Sequence, residues 1–456
     1  MKIILLVFTI LAIFFSVYLV SQQTRLLPKA TGLSANILVD AAVNQGQIVP
    51  IWQALAQGGE ELSPFDAIQA EVTELKPKYI RIDHIYDFYN VVNKEGNQLI
   101  FDWSRLDKIV KQILSMGALP FLSLSYMPPA IAQNNDITAA PLNWENWSEV
   151  VKNTVEHFSG RNNLGLNGVI YEVWNEPDLF GNWRIGGKKD YLILYKYAID
   201  GANQADNVNA FKIGGPATTA SYKNWVDKFL KYIFDNNLRL DFYSWHKYSL
   251  NPADFLVDIN KIDTWLFQNA GYTLPKYITE WGSISDSSAY HDTIFDAAHL
   301  VATTRQLLQR VDLVFTFEIK DGPSAKGEKY HGRWGILTHE SAGSVEKKPR
   351  YLALMLLNRI AGNRLSLEGE GTWITGFASK DGDNLKIILA NFDQEGKHNE
   401  NFPLVIKNLE DGSYLYQETY LVGVSKNIQE KVINQGLNKE IFLSPNNVVL
   451  IELVKT

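Results

Sequence analysis

Between Tyr79 and Ile360, short runs of β-branched and aromatic residues alternate with stretches whose apolar positions recur every three or four residues. No other pattern in the chain narrows its fold as much, because regular alternation of strand and helix predicts parallel strands joined by helical crossovers. The strand-like runs are Tyr79 to Asp83, Ala118 to Tyr126, Gly168 to Val173, Phe211 to Gly214, Asp241 to His246, Tyr277 to Glu280 and Leu313 to Glu318. With Asn36 to Asp40 as the first, they make eight, the number that closes an α/β chain into a (β/α)8 TIM barrel. Ser63 reads as the N-cap of the first barrel helix, with Pro64 at its first position. Gly117 ends the helix that begins near Ser104, and Gly362-Asn363 stops a last helix over Pro349 to Ile360.

The pattern changes at both ends of this region. From Trp373 onward short alternating strands flank turn signals such as Lys380-Asp381-Gly382-Asp383, so residues 366–456 read as a C-terminal β-sandwich packed on a barrel of residues 33–365. At the other end, Ile3 to Val20 is uncharged and almost wholly apolar, and as a helix it would reach about 27 Å, close to the thickness of a bilayer's hydrocarbon. Residues 1–21 therefore read as a transmembrane anchor or a signal helix, with residues 22–32 as a linker. The run ends Tyr18-Leu19-Val20-Ser21 with no A-x-A pattern, which favours an uncleaved anchor. Lys2 on one side against Arg25 and Lys29 on the other leaves orientation open.

Two of the predicted strands end in a glutamate. Val169, Ile170, Tyr171 and Val173 favour a buried strand, which breaks off at Trp174-Asn175-Glu176-Pro177-Asp178 because Pro177 has no N–H to extend a ladder. Lys276 to Gly282 has the same shape and delivers Glu280. In a parallel barrel the C-terminal ends of the strands form the open face where chemistry sits, so the two carboxyl groups are candidate catalytic partners. The net charge of −7, without a basic face, argues against nucleic acid. A neutral polar ligand fits better, and the 12 Trp and 21 Tyr residues can stack on the C–H faces of sugars. No Cys is present to staple the fold or ligate zinc. His291 and His299 are not spaced as a helical metal pair, and Gly214-Gly215-Pro216 lacks the Lys and Ser or Thr of a nucleotide loop, so neither metal nor cofactor is expected.

WNEPD at 174–178 followed by ITEWG at 278–282, with YIRID at 79–83, GGPA at 214–217 and SWHKY at 244–248, resembles glycoside hydrolase family 39, the group of β-xylosidases and α-L-iduronidase. The resemblance runs from about Leu33 to the C-terminus. It implies a retaining glycosidase in which Glu176 protonates the departing oxygen and Glu280 attacks the anomeric carbon. An acid at neutral pH needs a raised pKa, which the charge of Glu280 and partial burial would give Glu176. The resemblance also implies that Asn175 binds the sugar 2-OH, that Arg81 holds Glu280 ionised, and that Tyr248 or His246 touches the nucleophile or sugar hydroxyls. Trp281, Trp174 and Trp334 are candidate stacking walls.

Two departures from the family pattern fall among substrate contacts. Arg81-Ile82-Asp83-His84 puts Asp83 where Arg-x-His is usual, and Glu318 in Phe317-Glu318-Ile319 stands where a Trp is common. Glu318 then either faces the substrate or pairs with Lys320 or Arg333. The expected partner is an extracytoplasmic carbohydrate, met by a membrane-anchored or secreted enzyme, with sugar, anomer and endo or exo action left open. An inactive carbohydrate-binding barrel and a related endoglucanase or arabinofuranosidase are the alternatives.

Overall fold

The first long strand of the fold, β1 (Ile37–Gln47), lies outside the barrel. The computed structural model describes residues 32–59, 61–271 and 273–456. The apolar run Ile3 to Val20 falls outside these, and among the described residues no helix is long and apolar enough to cross a membrane.

The barrel strands are β2 (Ala54–Gln57), β3 (Tyr79–Ile82), β6 (Leu119–Leu124), β7 (Val169–Val173), β8 (Phe211–Thr218), β9 (Tyr243–Tyr248), β10 (Lys276–Gly282) and β11 (Leu313–Phe317), closed in that order. A small hairpin, β4 (Val92–Glu95) and β5 (Gln98–Phe101), interrupts the sequence after β3. Ala54, Ala56, Phe121, Ile170, Phe242, Tyr277 and Phe315 fill the barrel interior. The two alanines of the short first strand leave room for the rings of Phe121 and Phe315, whose centroids lie 4.7 Å apart. Side chains at the alternate positions, such as Tyr171, Val173, Tyr243 and Trp245, point outward into the helix layer.

That layer comprises α1 (Gln69–Glu74), α2 (Ser104–Ser115), α3 (Trp144–Ser159), α4 (Tyr191–Gln204), α5 (Lys223–Asp235), α6 (Pro252–Ala270), α7 (Ile294–Leu307) and α8 (Pro349–Leu357). Asn143, Asp190 and Asn251 cap three of these helices by accepting backbone N–H groups two residues on. Gly271, at φ 71°, ends α6 in the left-handed conformation that glycine adopts without a Cβ clash.

The rest of the chain forms β12 (Asn363–Glu368), β13 (Ile374–Asp381), β14 (Asn384–Asn391), β15 (Glu400–Lys407), β16 (Gly412–Tyr420), β17 (Lys426–Val432), β18 (Gly436–Leu443) and β19 (Val448–Lys455). Together with β1 they make one hydrogen-bonded sheet of nine strands, in the order β17-β16-β19-β14-β13-β12-β1-β15-β18. On β14 and β19 the faces divide by period two. Ile387, Leu389, Val449 and Ile451 enter the sheet's own core, whereas Ile388, Ala390, Val448 and Leu450 join the core of the barrel.

Three expectations are corrected here. Ile37 to Asp40 is in a strand, but it pairs with β12 and β15 in the C-terminal sheet, so the barrel does not begin at residue 33 and its first strand is β2. Local propensity makes Ile37 to Asp40 a strand, but its partners lie more than three hundred residues away in the sequence. The first barrel helix starts at Gln69, after Ile68, without a side-chain cap from Ser63. The C-terminal region is a continuous sheet rather than two separate ones, its end strands β17 and β18 joined by a short turn.

Candidate active site

Glu176 and Glu280 come from opposite sides of the barrel, at the C-terminal ends of β7 and β10. One carboxylate oxygen of each, together with a His246 ring nitrogen, lies within 4.8 Å of the others. On β10 the delivery depends on a bulge. Ile278 pairs with Trp245, the next pairing is Glu280 with His246, and Thr279 is the extra residue. The bulge reverses the alternation, so Glu280 turns into the site and Trp281 turns out toward the helices.

Arg81, 1 % exposed on β3, anchors the floor. Its Nη1 donates to Glu280 Oε1 at 3.0 Å, its Nε to Glu172 Oε2 at 2.9 Å and its Nη2 to Asn175 Oδ1 at 2.7 Å. Burial works against the guanidinium charge, but Glu172 and Glu280 hold its pKa above the usual value. A buried cation shared between two carboxylates fixes geometry more than it adds stability, since removing either partner strands a charge at a cost of roughly 3–5 kcal/mol.

His246, fully buried, bridges the two glutamates: Nδ1 is 2.7 Å from Glu176 Oε1 and 3.4 Å from Glu280 Oε2. Burial lowers the His246 pKa, but Glu280 and Glu176 raise it further, and the net direction is up. The Tyr248 hydroxyl donates to Glu280 Oε2 at 3.2 Å. Burial, with Glu280 and Glu176 adding, holds that phenol well above its ordinary pKa, so it remains a donor.

The carboxyl group of Glu280 is pushed up to about 7 by burial, with His246 and Arg81 opposing the rise and Glu176 adding to it. In a nucleophilic role Glu280 would have to be ionised, and kcat/KM would then rise with pH along a limb centred near 7. An acid limb near 4 to 5, the range of an ordinary glutamate, would show that Glu280 does not control it.

Above this floor opens a cavity of about 830 Å³ lined by Glu176, Glu280, Asn175, Asp83, His84, Tyr126, Tyr248 and Trp334, among others. The family model for glycosyl hydrolases family 39 covers residues 36–412. The chain belongs to family 39. It is 29% identical over 330 residues to a β-xylosidase of Caldicellulosiruptor saccharolyticus, covering 65% of this chain and 65% of that one. A β-xylosidase of Geobacillus stearothermophilus is 26% identical over 318 residues, covering 62% and 61%. The matches thus span under two thirds of either relative. Among solved structures, the family 39 enzyme of Xanthomonas axonopodis pv. citri superposes with a TM-score of 0.79 at 20% identity, over 94% of this chain and 100% of that one, a likeness of fold.

The structure sorts the expected site residues. Glu176, Glu280, Asn175, Asp83, His84, Tyr248 and Trp334 line the cavity, and Arg81 and His246 sit beneath it. Asn175 accepts from Arg81 and donates to the Tyr126 hydroxyl at 3.0 Å, which leaves one amide N–H for a ligand. His84 Nδ1 meets Asp87 at 2.9 Å. Asp83 Oδ1 is buried with no hydrogen-bond partner among the described residues.

Three readings change. Trp281 is no stacking wall: the bulge turns it outward, where the Arg350 guanidinium lies 4.7 Å from its ring. Trp174 is also buried, and its indole N–H donates to the Phe180 carbonyl at 3.0 Å. Glu318 lies behind the wall without lining the cavity, accepting from Gln57 Nε2 at 3.1 Å and Gly58 N at 3.2 Å. Of the two cations suggested as its partners, Lys320 bridges Glu61 and Glu340 and Arg333 pairs with Asp292. Glu61, His339 and Glu340 also converge as possible metal ligands, and the Lys320 ammonium supplies the positive charge there.

Sequence reasoning missed Glu172 and Tyr126. Glu172 carried a legible signal, since an acid inside the apolar run VIYEV of a strand buried on both faces demands a cationic partner. Tyr126 follows β6 in a loop whose direction no periodicity encodes.

Proposed function

We propose that this chain is a retaining glycosidase working by double displacement. Glu176 protonates the glycosidic oxygen as Glu280 attacks the anomeric carbon. Water, deprotonated by Glu176, then releases the sugar from the Glu280 ester. The observation that carries the reading is the convergence of the two carboxylates on one His246 nitrogen, 2.7 Å from Glu176 Oε1 and 3.4 Å from Glu280 Oε2, with an oxygen of each inside 4.8 Å of the other. Retaining pairs stand about 5 to 5.5 Å apart, whereas inverting pairs stand about 6.5 Å or more apart to admit a water behind the ring. Arg81 and Tyr248 direct the Glu280 oxygens, and His246 positions Glu176 against it.

The relatives are β-xylosidases, which makes a β-xyloside the first substrate to test. An extracytoplasmic oligo- or polysaccharide is the proposed source of that sugar, with the apolar run Ile3 to Val20 tethering or exporting the enzyme. The deciding experiment is proton NMR of aryl β-D-xyloside hydrolysis by residues 32–456. β-Xylose should be the first product and mutarotate afterwards. If α-xylose forms first, the double displacement is wrong.

A further inference from the structure

The cavity has two chemically different halves. On the side of β2, β3 and β6 it offers unspent polar groups, with Asp83 Oδ1 buried and unpartnered among the described residues. On the side of the acid, the charged groups are already paired. The Asp178 carboxylate accepts from the Thr219 N–H at 3.0 Å and from the Thr219 hydroxyl, and Lys247 Nζ pairs with Asp258 at 2.8 Å. Beside these paired groups lies exposed apolar surface: Leu179 is 56 % exposed, Phe180 41 % and Tyr222 38 %, and all three line the same cavity as the carboxylates.

Single exposed apolar side chains are ordinary on a protein surface. These three differ in that they converge beside a proton donor on a fixed frame. The Leu179 and Phe180 N–H groups both donate to the Glu176 carbonyl, at 3.0 and 2.7 Å. The Phe180 carbonyl is held by Trp174, and Asp178 ties this turn to the loop that carries Tyr222. The platform therefore stands in register with the acid that meets the leaving group.

We infer that Leu179, Phe180 and Tyr222 form a leaving-group site for an apolar aglycone, so that the enzyme acts best on glycosides of alkyl or aryl alcohols. The inference rests on the proposed role of Glu176, which sets the leaving-group side. A second sugar is disfavoured at this position because its hydroxyls would meet side chains with few free hydrogen-bonding groups.

Ethyl, butyl and hexyl β-D-xylopyranosides test this, since their leaving alcohols differ little in acidity and the series isolates contact with the chain. Full burial is worth about fourfold per CH₂, so half-covered chains should raise kcat/KM about tenfold or more from ethyl to hexyl. Xylobiose should do no better than the ethyl glycoside. Leu179→Ser and, separately, Phe180→Ser should each shrink the hexyl-to-ethyl ratio at least threefold. Titration of the same glycosides into Glu280→Gln gives a readout that needs no turnover. If binding tightens with chain length but no xyloside is hydrolysed, the sugar assignment fails and the apolar site stands. A flat series in both rate and binding, or xylobiose outrunning the hexyl glycoside tenfold, overturns the inference.

Discussion

Glu280→Gln is expected to cut turnover of an aryl glycoside on the order of 10⁶-fold, because an amide forms no glycosyl ester and the first displacement has no nucleophile. The amide is nearly isosteric with the carboxylate. Its oxygen still accepts from Arg81, which donates to Glu280 Oε1 at 3.0 Å, and its NH₂ faces the hydroxyl of Tyr248. The fold should survive, so circular dichroism and thermal melting separate lost chemistry from lost structure. Turnover within tenfold of the parent chain would remove Glu280 from the role of nucleophile.

Glu176→Ala has a smaller and more selective effect. Glycosides with poor leaving groups should lose about 10² to 10⁴-fold in kcat/KM, the usual contribution of a positioned acid. Dinitrophenyl glycosides leave without a proton, so their first step should be nearly preserved. Their second step slows, because no base activates water, and the glycosyl-enzyme accumulates as a burst with a lowered KM. Azide can enter the space vacated by the side chain without meeting its charge, and should restore the rate while yielding a glycosyl azide of retained configuration. Failure of azide to accelerate the variant, or equal losses on good and poor leaving groups, would place the acid elsewhere. The raised pKa of Glu280 bears on the parent chain against which both variants are measured, since its ionised fraction grows as pH passes about 7 and rates should be compared above that point.

Much of this site could be read from the residues. Glu176 and Glu280 were legible because each ends an apolar run at a strand's C-terminal end, and Arg81 through the family resemblance. The leaving-group platform was not. Leu179, Phe180 and Tyr222 lie in two loops that Asp178 and Thr219 bring together, and nothing periodic marks residues of that kind. The first barrel strand was hidden for a related reason. Ala54-Leu55-Ala56-Gln57 has little strand preference of its own and is a strand because β3 and β11 flank it, whereas the stronger run from Ile37 was claimed by the distant sheet.

The amino-acid order by itself determined the number of strands to within one exchange, the barrel they close, and the two carboxylic acids set at their ends. Which side chains face the ligand was decided only in three dimensions. Alternation along a strand carries a phase, and one extra residue at Thr279 reverses it, sending Glu280 inward and Trp281 out. That extra residue exists only relative to its neighbour β9, so its effect is a property of the pairing and is written in neither strand alone.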